Sequence, residues 1–181
     1  SPDLQGGGES DVTVPRDIQA VYISEYANRL DYIIRDNVNL IGYSAGSATA
    51  LKVYSEMPDE VGSICAVFGP FMMKLAGGFS DVNADFCLVK STADQYDGDF
   101  LGDPQACLAF VEEASGISDL RVNTDYTDWN GQYLFRYSQL DGTLHQTGNI
   151  SGKTISAILD FERTINDEPV KLDPTNMVWT W

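Results

Sequence analysis

The sequence predicts an α/β fold in which a mainly parallel sheet is flanked by helices. Short apolar runs, too brief for helices, alternate along the chain with longer segments of helical periodicity. The short runs are apolar on both faces, which is typical of parallel strands that helices cover on each side. The 181 residues fall in the range of one domain, and a composition of 43% hydrophobic and 21% charged residues argues against a disordered chain.

The predicted elements follow one another in the order that such a fold requires. Residues 1–16 are Gly-rich and polar and are predicted to form a loop, and residues 17–35 carry apolar side chains at helical spacing. Strands are predicted at 38–43, 61–68, 85–90 and 132–140, and helices from Ala45, at 103–115 and at 151–165. The last helix is predicted to turn Ile155, Ile158, Leu159 and Ile165 inward, and residues 167–181 to form a tail. Right-handed crossovers should join the strands.

Charge and histidine content exclude several function classes. The chain has 11 basic and 27 acidic residues, for a formal net charge of −16. Because so negative a surface repels phosphate backbones and anionic lipids, no nucleic-acid partner is predicted. No apolar run is long enough to span a bilayer, so no membrane span is predicted. A single histidine argues against His-rich metal sites, and no metal or other cofactor is predicted.

The cysteines and tryptophans are interpreted as structural residues. Cys65, Cys87 and Cys107 are odd in number and lack Cys-x-x-Cys spacing, and two of them lie in apolar runs. The sequence therefore favours buried free thiols, with one disulfide and one remaining thiol as the alternative. The tryptophans are predicted to be packing residues or tail residues rather than to line a cleft. They are Trp129, Trp179 and Trp181.

A Gly-x-Ser-x-Gly motif joins the first predicted strand to the helix that begins at Ala45. Its residues are Gly42-Tyr43-Ser44-Ala45-Gly46. In this setting the turn is so tight that the positions two before and two after the serine cannot carry a side chain, and the serine Oγ projects outward. The helix then directs its free N–H groups at whatever the serine attacks. The motif therefore predicts that Ser44 is a nucleophile.

A nucleophilic serine needs a base and a carboxylate, and the sequence offers few candidates. The one histidine, His145, follows the strand 132–140 and should lie at the carboxyl edge of the sheet, where the motif also lies. Asp94 comes directly after the strand 85–90 and can orient the imidazole from that edge. Asp97 and Asp99 are alternatives, and only the position immediately after the strand favours Asp94.

These motifs resemble those of the α/β-hydrolase superfamily over roughly residues 5–166. The order Ser44, Asp94, His145 is the order associated with that architecture. Residues 7–11, Gly-Gly-Glu-Ser-Asp, are similar to a stretch that follows the fourth strand in many members. The turn formed by residues 42–46, called the elbow below, and the run 133–137 that leads to His145 resemble secreted esterases of the polyhydroxybutyrate-depolymerase-like group.

The resemblance implies a role for each of these residues. Ser44 would be the nucleophile, His145 the general base and then acid, and Asp94 the residue that orients the imidazole. The backbone N–H of Ala45 would be one oxyanion donor. It also implies a serine hydrolase of carboxylic esters, with an extracellular location favoured over a cytoplasmic one. The short separation of Ser44 and Asp94 in the sequence leaves no room for a large lid domain, which predicts an open site for small or polymeric esters.

The resemblance begins partway through the family architecture. The sixteen residues before the predicted helix 17–35 are too few for the earlier strands and crossovers of the family. The chain is therefore expected to be one domain, 1–181, that is incomplete at its N-terminus, or else one with a compact replacement. A third interpretation makes Gly6–Gly8 the oxyanion loop, with Gln5 where the family has histidine. A fragment would need an N-terminal partner chain or segment to complete its sheet.

Three other functions remain open from the sequence. The chain can be a non-catalytic binding or assembly module that keeps the fold, or a fragment that is active only with an N-terminal partner chain. A peptidase or amidase is a further alternative, because those enzymes use the same triad as esterases.

Overall fold

A computed structural model describes residues 38–145 and 150–166, which form one five-stranded sheet with helices on both faces. The predictions for residues 1–16, 17–35 and 167–181 lie outside the described residues. The strands are β1 (Val38–Tyr43), β2 (Val61–Val67), β3 (Asp85–Ser91), β4 (Asp125–Trp129) and β5 (Tyr133–Leu140).

The sheet is mainly parallel, as the sequence predicts. The strand order is β1-β2-β3-β5-β4, in which β1, β2, β3 and β5 are parallel and β4 pairs antiparallel with β5. Strand β4 was not predicted because its sequence, Asp-Tyr-Thr-Asp-Trp, contains no apolar run. The helix-strand alternation therefore predicts the parallel part of the sheet and misses its antiparallel edge.

Four α-helices accompany the strands in the part of the chain that the structure describes. They are α1 (Ala45–Glu56), α2 (Pro70–Leu75), α3 (Pro104–Ser115) and α4 (Gly152–Ile165). Asp103 and Ser151 cap α3 and α4, because their side chains accept hydrogen bonds from backbone N–H groups three residues on. Helix α2 has only six residues, too few to show a period, and was not predicted. Within the described ranges, no helix is long and apolar enough to cross a membrane.

Some predictions for individual residues are wrong. Gln132 was predicted to begin the last strand, but it lies in the turn before β5. Strand β2 ends at Val67, and Phe68, which was predicted to extend it, turns out of the strand with φ 52°. Ile155 was predicted to face inward on α4, but it is exposed. The buried stripe of α4 consists instead of Thr154, Ile158, Phe161 and Glu162. Ile155 is seven residues before Glu162 and so lies at the border of this stripe, in the first turn of α4, which means that helical periodicity alone does not predict its exposure.

The pleat of the strands divides the apolar side chains between two cores. On β2, Ile64 faces the core formed with α1, α2 and α3, and Cys65 faces the core formed with α4. On β3, Phe86 and Cys87 alternate in the same way. All three cysteines are buried and unpaired, as predicted. Trp129 is also buried, and its indole N–H donates to the Ser115 carbonyl oxygen at 3.1 Å, so it is a packing residue.

A partly buried polar network links β1 and β2 to α4. The Asn39 side-chain amide donates to Glu162 Oε2 at 3.1 Å, and the Ser63 hydroxyl donates to Asn39 Oδ1 at 3.0 Å. Glu162 is 3% exposed. Burial, with a smaller contribution from the charge of Asp85, raises the pKa of Glu162 to about 7. The folded protein therefore holds a proton on this carboxyl group at a pH where an unfolded chain would have lost it.

We expect Glu162 to make stability decrease as the pH rises from about 5 to about 8. A raised folded-state pKa stabilises the fold below the unfolded value of 4.5, and this stabilisation is lost as the pH passes about 7. Glu162→Gln stays neutral, so at pH 8 it should be more stable than the wild type, by up to about 3 kcal/mol. Urea unfolding at a series of pH values measures the difference. Glu113→Gln, on the exposed side of α3, is the control, and an unchanged pH dependence in Glu162→Gln contradicts the prediction.

Candidate active site

The carboxyl ends of the four parallel strands bring four loops to one edge of the sheet. Ser44 follows β1, Phe68 follows β2, Asp94 lies in the loop after β3, and His145 lies in the loop after β5. Residues from distant parts of the chain meet here because parallel strands all end on the same side. The sequence-predicted residues therefore share this edge.

Ser44 occupies a strained turn between β1 and α1. Its backbone has φ 55° and ψ −119°, a conformation that non-glycine residues rarely adopt and that occurs mainly at functional sites. A Cβ atom on Gly42 would lie 2.4 Å from the carbonyl oxygen of Gly46, so the turn requires glycine at position 42. Helix α1 begins at the next residue, Ala45, and its first N–H groups point back toward the turn.

A second close approach supports this turn and was not predicted from the sequence. A Cβ atom on Gly69 would lie 2.0 Å from Ser47 Oγ and 3.3 Å from the Ser44 carbonyl oxygen. The Ser47 hydroxyl is buried and donates to the Gly42 carbonyl oxygen at 3.1 Å. Glycine at position 69 thus lets the chain after β2 pass directly beside the elbow. Many glycines occur in loops, so nothing in the sequence distinguishes this one.

Asp94 and His145 form a buried pair. His145 Nδ1 lies 3.0 Å from Asp94 Oδ1, and the side chains are 5% and 1% exposed. The same carboxylate oxygen accepts the backbone N–H of Tyr96 at 2.9 Å, which fixes the carboxylate relative to its own loop. When the proton is on Nδ1, the imidazole donates to Asp94 and leaves Nε2 as an acceptor.

The two alternative carboxylates pair with lysines instead. Asp97 forms a buried ion pair with Lys90, whose ammonium comes from the end of β3. Asp99 lies on the surface, where it accepts from Lys74 Nζ at 3.1 Å. Of these three carboxylates, Asp94 is therefore the one that is hydrogen-bonded to His145.

Three aromatic rings surround the imidazole of His145. The ring centroids of Tyr43, Phe68 and Tyr96 lie 5.2, 5.6 and 5.1 Å from that of His145. Tyr43 is the residue before Ser44, so the elbow and the imidazole are packed against a common ring. The proximity of Phe68 and Tyr96 to the imidazole was not predicted, because both residues lie in loops without a motif. Among residues 38–145 and 150–166, no cluster of histidine, cysteine or carboxylate side chains could hold a metal ion.

Comparison with known proteins reveals similarity at the level of structure. No family profile and no curated protein matches the sequence. A serine hydrolase homologue from Coxiella burnetii superposes with a TM-score of 0.60 at 15% identity, over 89% of this chain and 65% of that one. A monoacylglycerol lipase from Paleococcus ferrophilus gives 0.56 at 10% identity, over 93% and 82% of the two chains.

A third structure, described as a predicted CIB-like hydrolase from Thermoplasma acidophilum, gives a TM-score of 0.58 at 17% identity, over 91% of this chain and 70% of that one. The chain spans slightly less than two thirds of the Coxiella burnetii protein. At these identities the comparisons establish the fold. The chain has the α/β-hydrolase fold, as the resemblance of its motifs predicts.

The contact between Gly69 and Ser47 predicts a specific pattern of stabilities. Gly69→Ala should destabilise the protein by about 2–3 kcal/mol, because the new methyl group overlaps the Ser47 side chain. Adding Ser47→Gly removes the overlapping atoms, so the double variant should lose less stability than the two single changes together. Urea unfolding measures all three. Gly152→Ala, where a Cβ meets no atom within 4 Å, should change stability by no more than about 0.5 kcal/mol. Additive losses in the double variant would contradict this account.

Proposed function

We propose that the chain is a serine hydrolase that cleaves carboxylic esters through an acyl-enzyme intermediate. The observation that carries the proposal is the buried Asp94–His145 pair at the sheet edge where Ser44 stands in a strained turn. The likeness to a serine hydrolase homologue and a monoacylglycerol lipase supports it.

In the proposed reaction, His145 moves the proton and Ser44 forms the covalent bond. Nε2 of His145 accepts the hydroxyl proton as Ser44 Oγ attacks the carbonyl carbon of the ester. The imidazolium then gives this proton to the leaving alcohol, and the acyl group stays on Oγ. A water molecule, deprotonated by the same nitrogen, releases the acid and restores the serine. Asp94 holds the tautomer with the proton on Nδ1 and stabilises the imidazolium.

The backbone N–H of Ala45 is proposed as one oxyanion donor. It belongs to the first residue of α1, where N–H groups lack partners within the helix and the dipole favours negative charge. An oxygen that becomes negative beside Ser44 therefore meets a donor whose position the helix fixes. Because the strained turn orients Ser44 and Ala45 together, nucleophile and donor need no rearrangement during attack.

Substitution of the three side chains tests the proposal. Ser44→Ala and His145→Ala should abolish hydrolysis of a p-nitrophenyl ester, and Ser44→Ala should also abolish labelling by a fluorescent fluorophosphonate. Asp94→Asn should lower kcat by about 10³- to 10⁴-fold, since the amide cannot hold the required tautomer. Asp99→Asn changes a surface carboxylate in the same segment and should leave kcat unchanged.

Labelling that is equal in the wild type and Ser44→Ala, or absent from both folded proteins, would overturn the hydrolase proposal. Efficient cleavage of anilides beside slow cleavage of matched esters would favour the peptidase or amidase alternative. Binding of an ester without turnover would favour a binding module.

The net charge of −16 predicts which esters the enzyme prefers. A negative surface repels anionic substrates, so kcat/KM for a mono-ester of succinate should be lower than for a neutral ester of similar size. Added salt screens this repulsion, and kcat/KM for the anionic ester should rise between about 10 and about 150 mM salt. The neutral ester is the control, because its kcat/KM should stay constant. A salt response that is the same for both esters would contradict the prediction.

A further inference from the structure

Backbone and side-chain hydrogen bonds continue the β3–β5 pairing beyond the ends of the strands. The backbone register ends at Ser91 and Leu140. The Thr92 N–H then donates to the Leu140 carbonyl oxygen at 3.0 Å, and the Gly142 N–H donates to the Thr92 hydroxyl oxygen at 3.2 Å. The Ser91 hydroxyl donates to the Thr143 carbonyl oxygen. The loop after β3 and the loop after β5 are thus connected step by step toward the candidate active site.

Gln95 makes the last of these connections, and it does so at His145. Its Nε2 donates to the His145 carbonyl oxygen at 3.1 Å, and its Oε1 accepts the His145 backbone N–H at 3.2 Å. The side-chain amide therefore pairs with both peptide groups of one residue, as a neighbouring strand would. Asp94, the preceding residue, binds the ring of the same histidine.

We propose that Gln95 is a positioning residue that sets the backbone of His145 so that its imidazole meets Asp94 and the nucleophile. This inference rests on the proposed function, because it assigns a task to Gln95 within the same triad. Asp94 and Gln95 then form one unit, in which the first residue holds the ring and the second holds the backbone.

The physical need for a second attachment follows from the geometry of a histidine side chain. The bond to Asp94 fixes one atom of the ring, Nδ1, while Nε2 lies on the far side of the ring. A small change in the backbone of His145 moves Nε2 even when Nδ1 stays bonded. A displacement of about 1 Å between reacting groups costs on the order of 10²-fold in rate. His145 lies in a loop, where hydrogen bonds to the backbone determine how far it moves.

The test compares Gln95→Met with Gln105→Met. Methionine keeps the length of the side chain and removes both hydrogen-bonding groups, and Gln105 is an exposed glutamine on α3. Gln95→Met should lower kcat for a p-nitrophenyl ester, and the rate of fluorophosphonate labelling, by about 10- to 100-fold with little change in KM. Its midpoint of thermal unfolding should stay within about 2 °C of that of Gln105→Met.

A measurement that does not depend on turnover uses the single histidine of the chain. In tag-free protein, the hydrogen-bonded Nδ1 proton of His145 should give one downfield NMR signal, which Asp94→Asn removes. In Gln95→Met this signal should broaden through faster exchange with water, while Gln105→Met keeps it sharp. Gln95→Glu retains the acceptor and loses the donor, so its signal should show intermediate broadening. It also serves as the second variant if Gln95→Met does not fold.

Unchanged kcat together with an unchanged Nδ1 signal in the Gln95 variants would overturn the inference, even if their unfolding midpoint were lower. If neither the wild type nor Gln105→Met were labelled at Ser44, the proposed function would fail instead. The NMR signal would then decide about Gln95 alone: broadening in the Gln95 variants supports the positioning role, and a sharp signal overturns it.

Discussion

The parallel register of β1, β2, β3 and β5 is the constraint on which the rest of the structure depends. Parallel strands end at one edge, so residues that are far apart in the sequence, such as Asp94 and His145, come within hydrogen-bonding distance there. Specific local contacts then hold three of the loops at this edge. Glycines admit the turn at Ser44, a buried ion pair holds the loop after β3, and hydrogen bonds from that loop hold His145. The sheet brings the candidate site residues to the same edge, and these contacts determine the position of each one.

Electrostatics distinguishes carboxylates that are chemically identical and close in sequence. Asp94, Asp97 and Asp99 lie within six residues of an acidic chain, yet each has a different partner. Lys90 is decisive, because a lysine buried at the end of β3 requires an anion nearby and Asp97 provides it. Asp97 is therefore paired with Lys90, through Oδ2. Asp94 can instead place its charge against an imidazole.

The sequence predicts most of the parallel sheet and less of the site. Apolar runs identify β1, β2, β3 and β5 because a strand buried on both faces needs them, and the Gly-x-Ser-x-Gly motif locates the elbow because its geometry demands glycine. Asp94 was favoured by position alone, and the ion pair that engages Asp97 depends on tertiary contacts that no local pattern encodes. The aromatic ring of Phe68 beside His145 escaped prediction for the same reason. Helix α2 and strand β4 are too short or too polar for periodicity to detect.

Strand β4 also bears on how the protein behaves at high concentration. The outer edge of a sheet offers unpaired backbone groups that a second chain can use to extend the sheet. In the described sheet, β4 is the last strand beside β5, and it is short, irregular in register and exposed at Asp125 and Asp128. Arg136 of β5 donates to Asp125 of β4 and to Asp160 of α4 at 2.8 and 2.9 Å, so charged groups attach β4 to its neighbours. Shortness, irregularity and charge are the features by which natural sheets discourage edge-to-edge aggregation. The polar segment that escaped prediction as a strand is thus what makes this border of the sheet a poor template for amyloid-like growth.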